Sequence, residues 1–380
     1  MQFRIFLVAT TFLVAGLSSA AQTQLIPTEA DFALIYDHET ETVLYSKQGE
    51  EPMVPASMTK IMTVQIAFER LATGELQLTD RIEVSENAWR QGGARSGGST
   101  MFLEPKDEPT VEELLRGIMI LSGNDACIAL AEGISGSEEA FIAEMNDVAA
   151  QIGLTSANFT NVTGLFNEEH LISAADLAEL TSRQINQFPE LYALYSEPEY
   201  EWRGIKQPNR NPLLGSIEGA DGVKTGHLSV SGYGLVGSAK RGDTRRIIVL
   251  NGLESQADRR REAQRLMNSA FNAFETRSAE ANTVVGELEV FLGTETSVPV
   301  ALKDSVKSIL HKRSASKMET VIVQEGPLKA PISAGDEVAT LVITVEDDEI
   351  VRTPLIATED VPSLGFFGRV IAGLGVLIGE

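Results

Sequence analysis

Three short stretches carry the residue types that acyl transfer needs: Ser57-Met-Thr-Lys60, Ser122-Gly-Asn124 and Lys224-Thr-Gly226. In the first, a hydroxyl stands one helical turn from an amine, so a lysine can take the serine's proton with no histidine involved. An amine acts as a base only when partly neutral, and burial together with a nearby cation such as Lys224 would lower its pKa. Ser122 offers a second hydroxyl to relay a proton between Lys60 or Lys224 and a leaving amine. Asn124 offers an amide to orient Lys60 and to bond a substrate amide. Lys224 adds a fixed charge beside Gly226, a side-chain-free stretch along which substrate backbone can lie as an added strand. The backbone N–H groups of Ser57 and His227 are the expected oxyanion donors.

Taken singly, these letters are weak. Ser314-Ala-Ser-Lys317 repeats the SxxK pattern, while Ser85-Glu-Asn87 and Ser156-Ala-Asn158 repeat SxN. The elements around each stretch separate signal from accident. Met58 to Leu71 has helical spacing at Ile61, Val64, Phe68 and Leu71, which places Ser57 at the start of a buried helix, where the dipole favours an alkoxide. Thr110-Val-Glu-Glu113 is a capping box that opens a helix from Val111 to Ile120, so Ser122-Gly-Asn124 falls in a turn before the next helix, Asp125 to Glu132. Further helices are expected over Ser137 to Ile152, from Ser173 through Ile185, and over Arg261 to Phe274. Lys224-Thr-Gly226 follows the turn signal Asp221-Gly222 and precedes two apolar segments, Ser231 to Ala239 and Arg245 to Gly252, that read as a hairpin. An early hairpin, Ala33 to Tyr36 and Thr42 to Tyr45, would join the same sheet. Gln91 to Thr100 reads as an exposed loop.

The chain has 380 residues, 43% of them hydrophobic and 22% charged, enough for two globular domains. A net charge of −23 argues against nucleic-acid binding, since phosphates would be repelled. Arg4, the apolar run Ile5 to Leu17 and the small residues Ser18 to Ala21 make 1–21 an export signal. Cys127 is the sole cysteine and reads as a buried small hydrophobe. The four histidines show no metal spacing, so neither a metal nor another cofactor is expected. From Val284 onward, short Val/Ile/Leu segments broken by Gly, Pro and Asp predict an all-β domain over 280–358, after a first domain over 28–277. In 363–380, Leu364, Phe367, Val370, Ile371, Leu374, Leu377 and Ile378 share one helical face. Leu364 to Ile378 would reach only ~22 Å, short of a ~30 Å hydrocarbon core, so an interfacial membrane helix is expected.

Taken together, the chain resembles the low-molecular-mass penicillin-binding proteins of the serine D-Ala-D-Ala carboxypeptidase family. The matching text includes Pro55-Ala-Ser-Met-Thr-Lys60, Leu121-Ser-Gly-Asn-Asp125, Asn209-Arg-Asn211 and Asp221-Gly-Val-Lys-Thr-Gly-His227. Gly164-Leu165, Ser173-Ala-Ala-Asp-Leu-Ala178 and Arg261-Glu-Ala263 extend it. The resemblance implies an α/β (α+β) penicillin-binding-protein/β-lactamase-like transpeptidase domain, a small all-β domain and a C-terminal amphipathic helix. It implies that Ser57 is acylated with Lys60 as general base, and that the enzyme removes the terminal D-alanine from peptidoglycan stem peptides and binds β-lactam antibiotics. Lys224 and Thr225 would meet the substrate carboxylate, helped by Arg210 and Arg261. Such a protein would be exported to the periplasm and held peripherally on the inner membrane. Leu228 stands where the family usually carries threonine, and Pro212 where it carries glycine. An endopeptidase cutting D-Ala–diaminopimelate cross-links, a β-lactamase and a non-catalytic wall-binding relative are the alternatives; the pattern ExxLN, expected of a β-lactamase, is absent around Glu168-Glu169.

Overall fold

The computed structural model describes residues 26–345, 348–366 and 368. The expected export segment 1–21 lies outside the described residues, as does most of the expected terminal helix. The chain divides into two compact units between Asn272 and Ala273.

Within the first unit, strands β1 (Phe32–Asp37) and β2 (Thr42–Lys47) form the early hairpin. A 3-10 turn, Ala56–Thr59, then runs into helix α1 (Lys60–Thr73), which ends at Gly74 in the left-handed region. Helix α2 (Val111–Met119) begins with the expected reciprocal capping box between Thr110 and Glu113. Helices α3 (Asn124–Ser135) and α4 (Glu138–Gln151) follow, then α5 (Ala174–Gln187) and the single turn α6 (Pro189–Tyr192). Ser137 and Ser173 cap α4 and α5 through their hydroxyls. A two-stranded hairpin, β3 (Glu199–Trp202) and β4 (Ile205–Pro208), leads into Asn209-Arg-Asn211. Strands β5 (Ala220–Leu228), β6 (Gly232–Arg241) and β7 (Thr244–Leu253) precede the closing helix α7 (Gln256–Asn272).

The five-stranded antiparallel sheet has the order β2-β1-β7-β6-β5. Strand β7, at its centre, is buried over most of its length, so it is written as the apolar run Ile247 to Leu250 instead of an alternating pattern. The strand bearing Lys224-Thr-Gly226 is an edge strand, with one side unpaired by the sheet. The core packs α1 among α2, α3, α4 and α5; Ile61, Met62, Phe68, Ile118, Leu130 and Phe141 are essentially closed to solvent. Burying side chains of this size contributes about 1.5–3 kcal/mol each.

The second unit is all-β, as its sequence texture predicts. A six-stranded sheet runs β12-β14-β15-β10-β9-β13 (Met318–Val323, Glu337–Val345, Asp348–Ala357, Ser297–Leu302, Val284–Phe291, Leu328–Lys329). A separate pair joins β11 (Val306–His311) to β8 (Phe274–Ala279). That pairing claims Phe274–Ala279 for the second unit, so the expected boundary near 277 moves back to Asn272. The expected closing helix ran through Phe274, but Phe274 begins strand β8, which among the described residues pairs only with β11. At the other end, Ser363 bridges Gly293 and Leu364 N–H donates to the Leu292 carbonyl at 2.8 Å, so residue 363 belongs to this unit and does not begin a separate helix. Phe366 and Gly368 are helical; the rest of the proposed membrane segment lies outside the described residues. Among the described residues, no helix is long and apolar enough to cross a membrane.

Candidate active site

Ser57 lies in the 3-10 turn ahead of α1, half-buried and facing a cleft of 940 Å³. The preceding residue, Ala56, is forced to a φ of +50°, a conformation that costs an ordinary residue free energy and is held by its surroundings. Gly164 packs directly on it: a Cβ there would come 1.8 Å from the Ala56 carbonyl oxygen. The first turn of α1 then points Lys60 inward, where it is fully buried.

The surroundings of Lys60 determine what it can do. Its Nζ lies 3.0 Å from Ser57 Oγ, 2.8 Å from Asn124 Oδ1 and 2.5 Å from the Thr163 carbonyl oxygen. The amide and carbonyl oxygens only accept hydrogen bonds. In the neutral amine they take both N–H groups, and the lone pair that remains faces the Ser57 hydroxyl. Burial, chiefly, pulls the Lys60 pKa from 10.5 down to about 8, with the Arg210 charge adding to it, while Cys127 and Asp125 act in the opposite sense. The expected push from Lys224 shows on the other partner. Lys224 is held well below its ordinary value by burial and then by the charges of Lys60 and Arg210.

Ser122 and Asn124 occupy the turn between α2 and α3. Ser122 has a φ of +63° and its hydroxyl has no protein hydrogen-bond partner among the described residues, so it is available to a substrate. Sequence reasoning passed over Asp125, the residue that builds this turn. Its buried carboxylate accepts from Thr100 Oγ1 at 2.6 Å, Met101 N at 2.8 Å and Leu103 N at 3.0 Å. The stretch expected to be an exposed loop, Gln91 to Thr100, does keep Ala94 to Gly98 exposed, and its Gly97, Gly98 and Ser99 also line the cleft. Gly92 sits so close to α3 that a Cβ would approach Asp125 N to 2.2 Å, and the Ser99 carbonyl accepts from Asn124 N at 2.8 Å.

On the opposite side of the cleft runs β5. Thr225, Gly226, His227 and Leu228 line it, with Lys224 buried behind and donating to the Thr225 carbonyl at 3.1 Å. Gly226 serves packing as well as access: a Cβ would meet the Pro55 carbonyl oxygen at 2.7 Å, so glycine lets β5 dock against the segment entering Ser57. Arg210 lines the cleft and donates to Ser99 Oγ. Arg261 does not reach it. That guanidinium is on the outer face of α7, paired with Glu29 and with Asp258 at 2.7 Å. Arg259, two residues earlier, takes the inward position. It is buried, donates to the Gly226 carbonyl at 3.3 Å and lies 5.5 Å from the Tyr233 ring, on which His227 stacks with centroids 3.8 Å apart. Its Nε has no hydrogen-bond partner among the described residues. A chain of net charge −23 thus lines one cleft with Arg210, Arg259 and Arg260 and buries Lys60 and Lys224 behind it, a distribution suited to a carboxylate ligand.

The repeated motif letters have other employment. Ser85 and Asn87 both donate to Glu132, Ser156 donates to Asp176, and Ser314 starts the 3-10 turn Ala315–Lys317, its carbonyl accepting from Lys317 N at 2.9 Å. Cys127 is fully buried and its thiol is pushed up to about 12, first by desolvation, which makes it inert. No cluster of metal-ligating side chains occurs among the described residues.

Residues 18–254 match the Peptidase S11 family, D-alanyl-D-alanine carboxypeptidase, and 274–363 match the penicillin-binding protein 5 C-terminal domain. The chain belongs to the Peptidase S11 family. It is 36% identical to D-alanyl-D-alanine carboxypeptidase DacC of Escherichia coli K12, over 95% of this chain and 92% of that one. It is 35% identical to DacF of Bacillus subtilis 168, over 91% and 89% of the two chains. Among solved structures it is similar to penicillin binding protein 5 of Haemophilus influenzae, at 32% identity and a TM-score of 0.70, over 88% of this chain and 98% of that one. The D-alanyl-D-alanine carboxypeptidase DacD of Francisella tularensis gives 29% and 0.77, over 93% and 97%.

Proposed function

We propose that this D-alanyl-D-alanine carboxypeptidase works through an acyl-enzyme on Ser57, with Lys60 as its general base. Ser57 Oγ attacks the carbonyl carbon of the penultimate D-alanine as its proton passes to Lys60 Nζ. Backbone N–H groups of Ser57 and His227 receive the oxyanion. When the carbon–nitrogen bond breaks, Ser122 passes a proton to the departing amine of the terminal D-alanine. Water then hydrolyses the Ser57 ester and the proton path runs in reverse. With a penicillin, the broken bond lies within a ring, so the amine stays attached and the acyl-enzyme persists. The observation that carries this reading is the set of three partners around Lys60, which leaves the lone pair of the neutral amine only Ser57 to face.

In this reading the stem peptide lies along the free edge of β5, antiparallel to its backbone, with its terminal carboxylate toward Lys224, Thr225, Arg210 and Arg259. Arg259 replaces Arg261 in that role. Arg259→Ala is expected to lower kcat/KM for D-alanine release by ~10–100-fold, the loss of a charged hydrogen bond, while Arg261→Ala stays within about twofold. Steady-state D-alanine release from a D-Ala-D-Ala-terminated peptide separates the two. Equal losses in both variants, or none in Arg259→Ala, would remove Arg259 from the carboxylate site.

The same reading puts the enzyme outside the cytoplasmic membrane, with 1–21 removed on export and the apolar segment after Leu364 lying on the lipid surface. The apolar run Ile5 to Leu17 and the one-sided apolar face from Leu364 to Ile378 support it. Truncation after Leu364 is expected to move the protein from the membrane fraction to the soluble periplasmic fraction. A truncated protein that still sediments with membranes contradicts the placement.

A further inference from the structure

Behind the nucleophile lies an imidazole that the proton path does not use. His170 is completely buried and packs edge-on against Phe159, with ring centroids 5.7 Å apart. The backbone N–H of Thr160 donates to its Nδ1 at 3.0 Å, which makes Nδ1 an acceptor and leaves the ring proton on Nε2. Nε2–H then donates to Thr59 Oγ1 at 2.8 Å, and the Thr59 hydroxyl donates onward to the Ala56 carbonyl at 2.8 Å. A one-directional chain of hydrogen bonds therefore runs from the segment 158–172 to the strained residue just before Ser57.

Two more bonds join the same segment to the same helix. Thr63 Oγ1 donates to the Val162 carbonyl at 2.7 Å, and Lys60 Nζ donates to the Thr163 carbonyl at 2.5 Å. Between them, Asn161 Oδ1 accepts from Gly164 N at 2.7 Å and Leu165 N at 3.0 Å, which makes Thr160 to Leu165 one stiff turn. We propose that His170 is a positioning residue for acylation of Ser57: by bridging Thr160 to Thr59 it holds the Thr163 carbonyl against Lys60 and so keeps the amine's lone pair aimed at Ser57 Oγ. If that carbonyl moves away, one N–H of the neutral amine loses its acceptor and Lys60 can rotate, so the lone pair no longer has a single direction. The bridge persists wherever Lys60 titrates. Burial, and then the Lys60 charge, hold the His170 pKa down to about 4, so the ring stays neutral.

The inference rests on Ser57 as the acylated residue and Lys60 as its base. The experiment is the second-order rate of penicillin acylation as a function of pH, followed by intact mass, for wild type, Thr59→Val, Thr59→Ser and His170→Asn. Thr59→Val is nearly isosteric and removes only the bridging hydroxyl; His170→Asn keeps an acceptor for Thr160 but cannot reach Thr59. Both are expected to lower the high-pH plateau by ~10-fold or more, the effect of a small misplacement of a catalytic group. Both should also move the acid limb to lower pH, because the ammonium has lost an acceptor that favoured it. Thr59→Ser restores rate and limb together. Thermal unfolding confirms that each variant is folded; if His170→Asn is not, Thr59→Val carries the test. A folded Thr59→Val whose profile superimposes on wild type overturns the role of His170, as does a lower rate with an unmoved limb that Thr59→Ser fails to restore. A wild type that forms no adduct overturns instead the reading of Ser57 and Lys60.

Discussion

Ser57→Ala is expected to form no penicillin adduct and to release D-alanine at least ~10⁴-fold more slowly than wild type. Without the hydroxyl, water must attack the amide directly, and the covalent intermediate that divides the reaction into two easier steps is gone. Residual rate would come from the oxyanion donors and from substrate alignment along β5, neither of which the substitution touches. Stem-peptide binding should therefore survive, because Thr225, Arg210 and Arg259 line the cleft independently of Ser57. Intact mass after penicillin and a D-alanine assay on the same preparation check both halves. An adduct on Ser57→Ala would place the nucleophile elsewhere.

Lys60→Met should lower acylation by ~10²–10⁴-fold, the range for removal of a general base. It should also erase the pH dependence. With a Lys60 pKa of about 8, acylation of the wild type is expected to rise about tenfold per pH unit below that value and to level off above it. Lys60→Arg is expected to fail as badly as Lys60→Met, because a guanidinium keeps the charge but does not release its proton. Stability carries the same signature. The folded protein binds the Lys60 proton only below about 8, the unfolded chain up to its ordinary value of 10.5, so between the two the unfolded state holds more protons and the contribution of this site to stability rises with pH. Below that window the buried ammonium is a standing cost, which Lys60→Met relieves. A pH-rate profile for acylation is the check; a wild-type profile flat from pH 6 to 9 would separate Lys60 from the base.

The helices and strands that frame the site were legible because their signals are local. The Thr110–Glu113 capping box, the hydroxyl caps at Ser137 and Ser173 and the apolar run in β7 each follow from neighbours in sequence. The second unit was legible for the same reason, down to its all-β texture. The start of that unit was not, since Phe274–Ala279 becomes a strand only through pairing with Val306–His311. Nor could any side-chain pattern flag the Thr163 carbonyl, which is backbone, as the third partner of Lys60. Arg259 was within reach. It stands at the head of the buried stripe Glu262, Ala263, Leu266, Met267 and Ala270, spaced at three, four, seven, eight and eleven residues, whereas Arg261 falls off that stripe. Helical phase, not the family's Arg-Glu-Ala text, tells which of three consecutive arginines points inward. Asp125 showed in the sequence only as the first residue of a helix; its burial and its three donors from Thr100 to Leu103 come from a distant segment.

The central claim is that a single acyl-enzyme forms at Ser57. Its most direct test is to treat the mature protein with benzylpenicillin, follow intact mass over time and map the modified peptide. The expected result is one penicilloyl group, lasting well beyond its formation, on the peptide that contains Ser57. A group on Ser122 or Ser314 would contradict it. So would rapid penicillin hydrolysis with no adduct at any time.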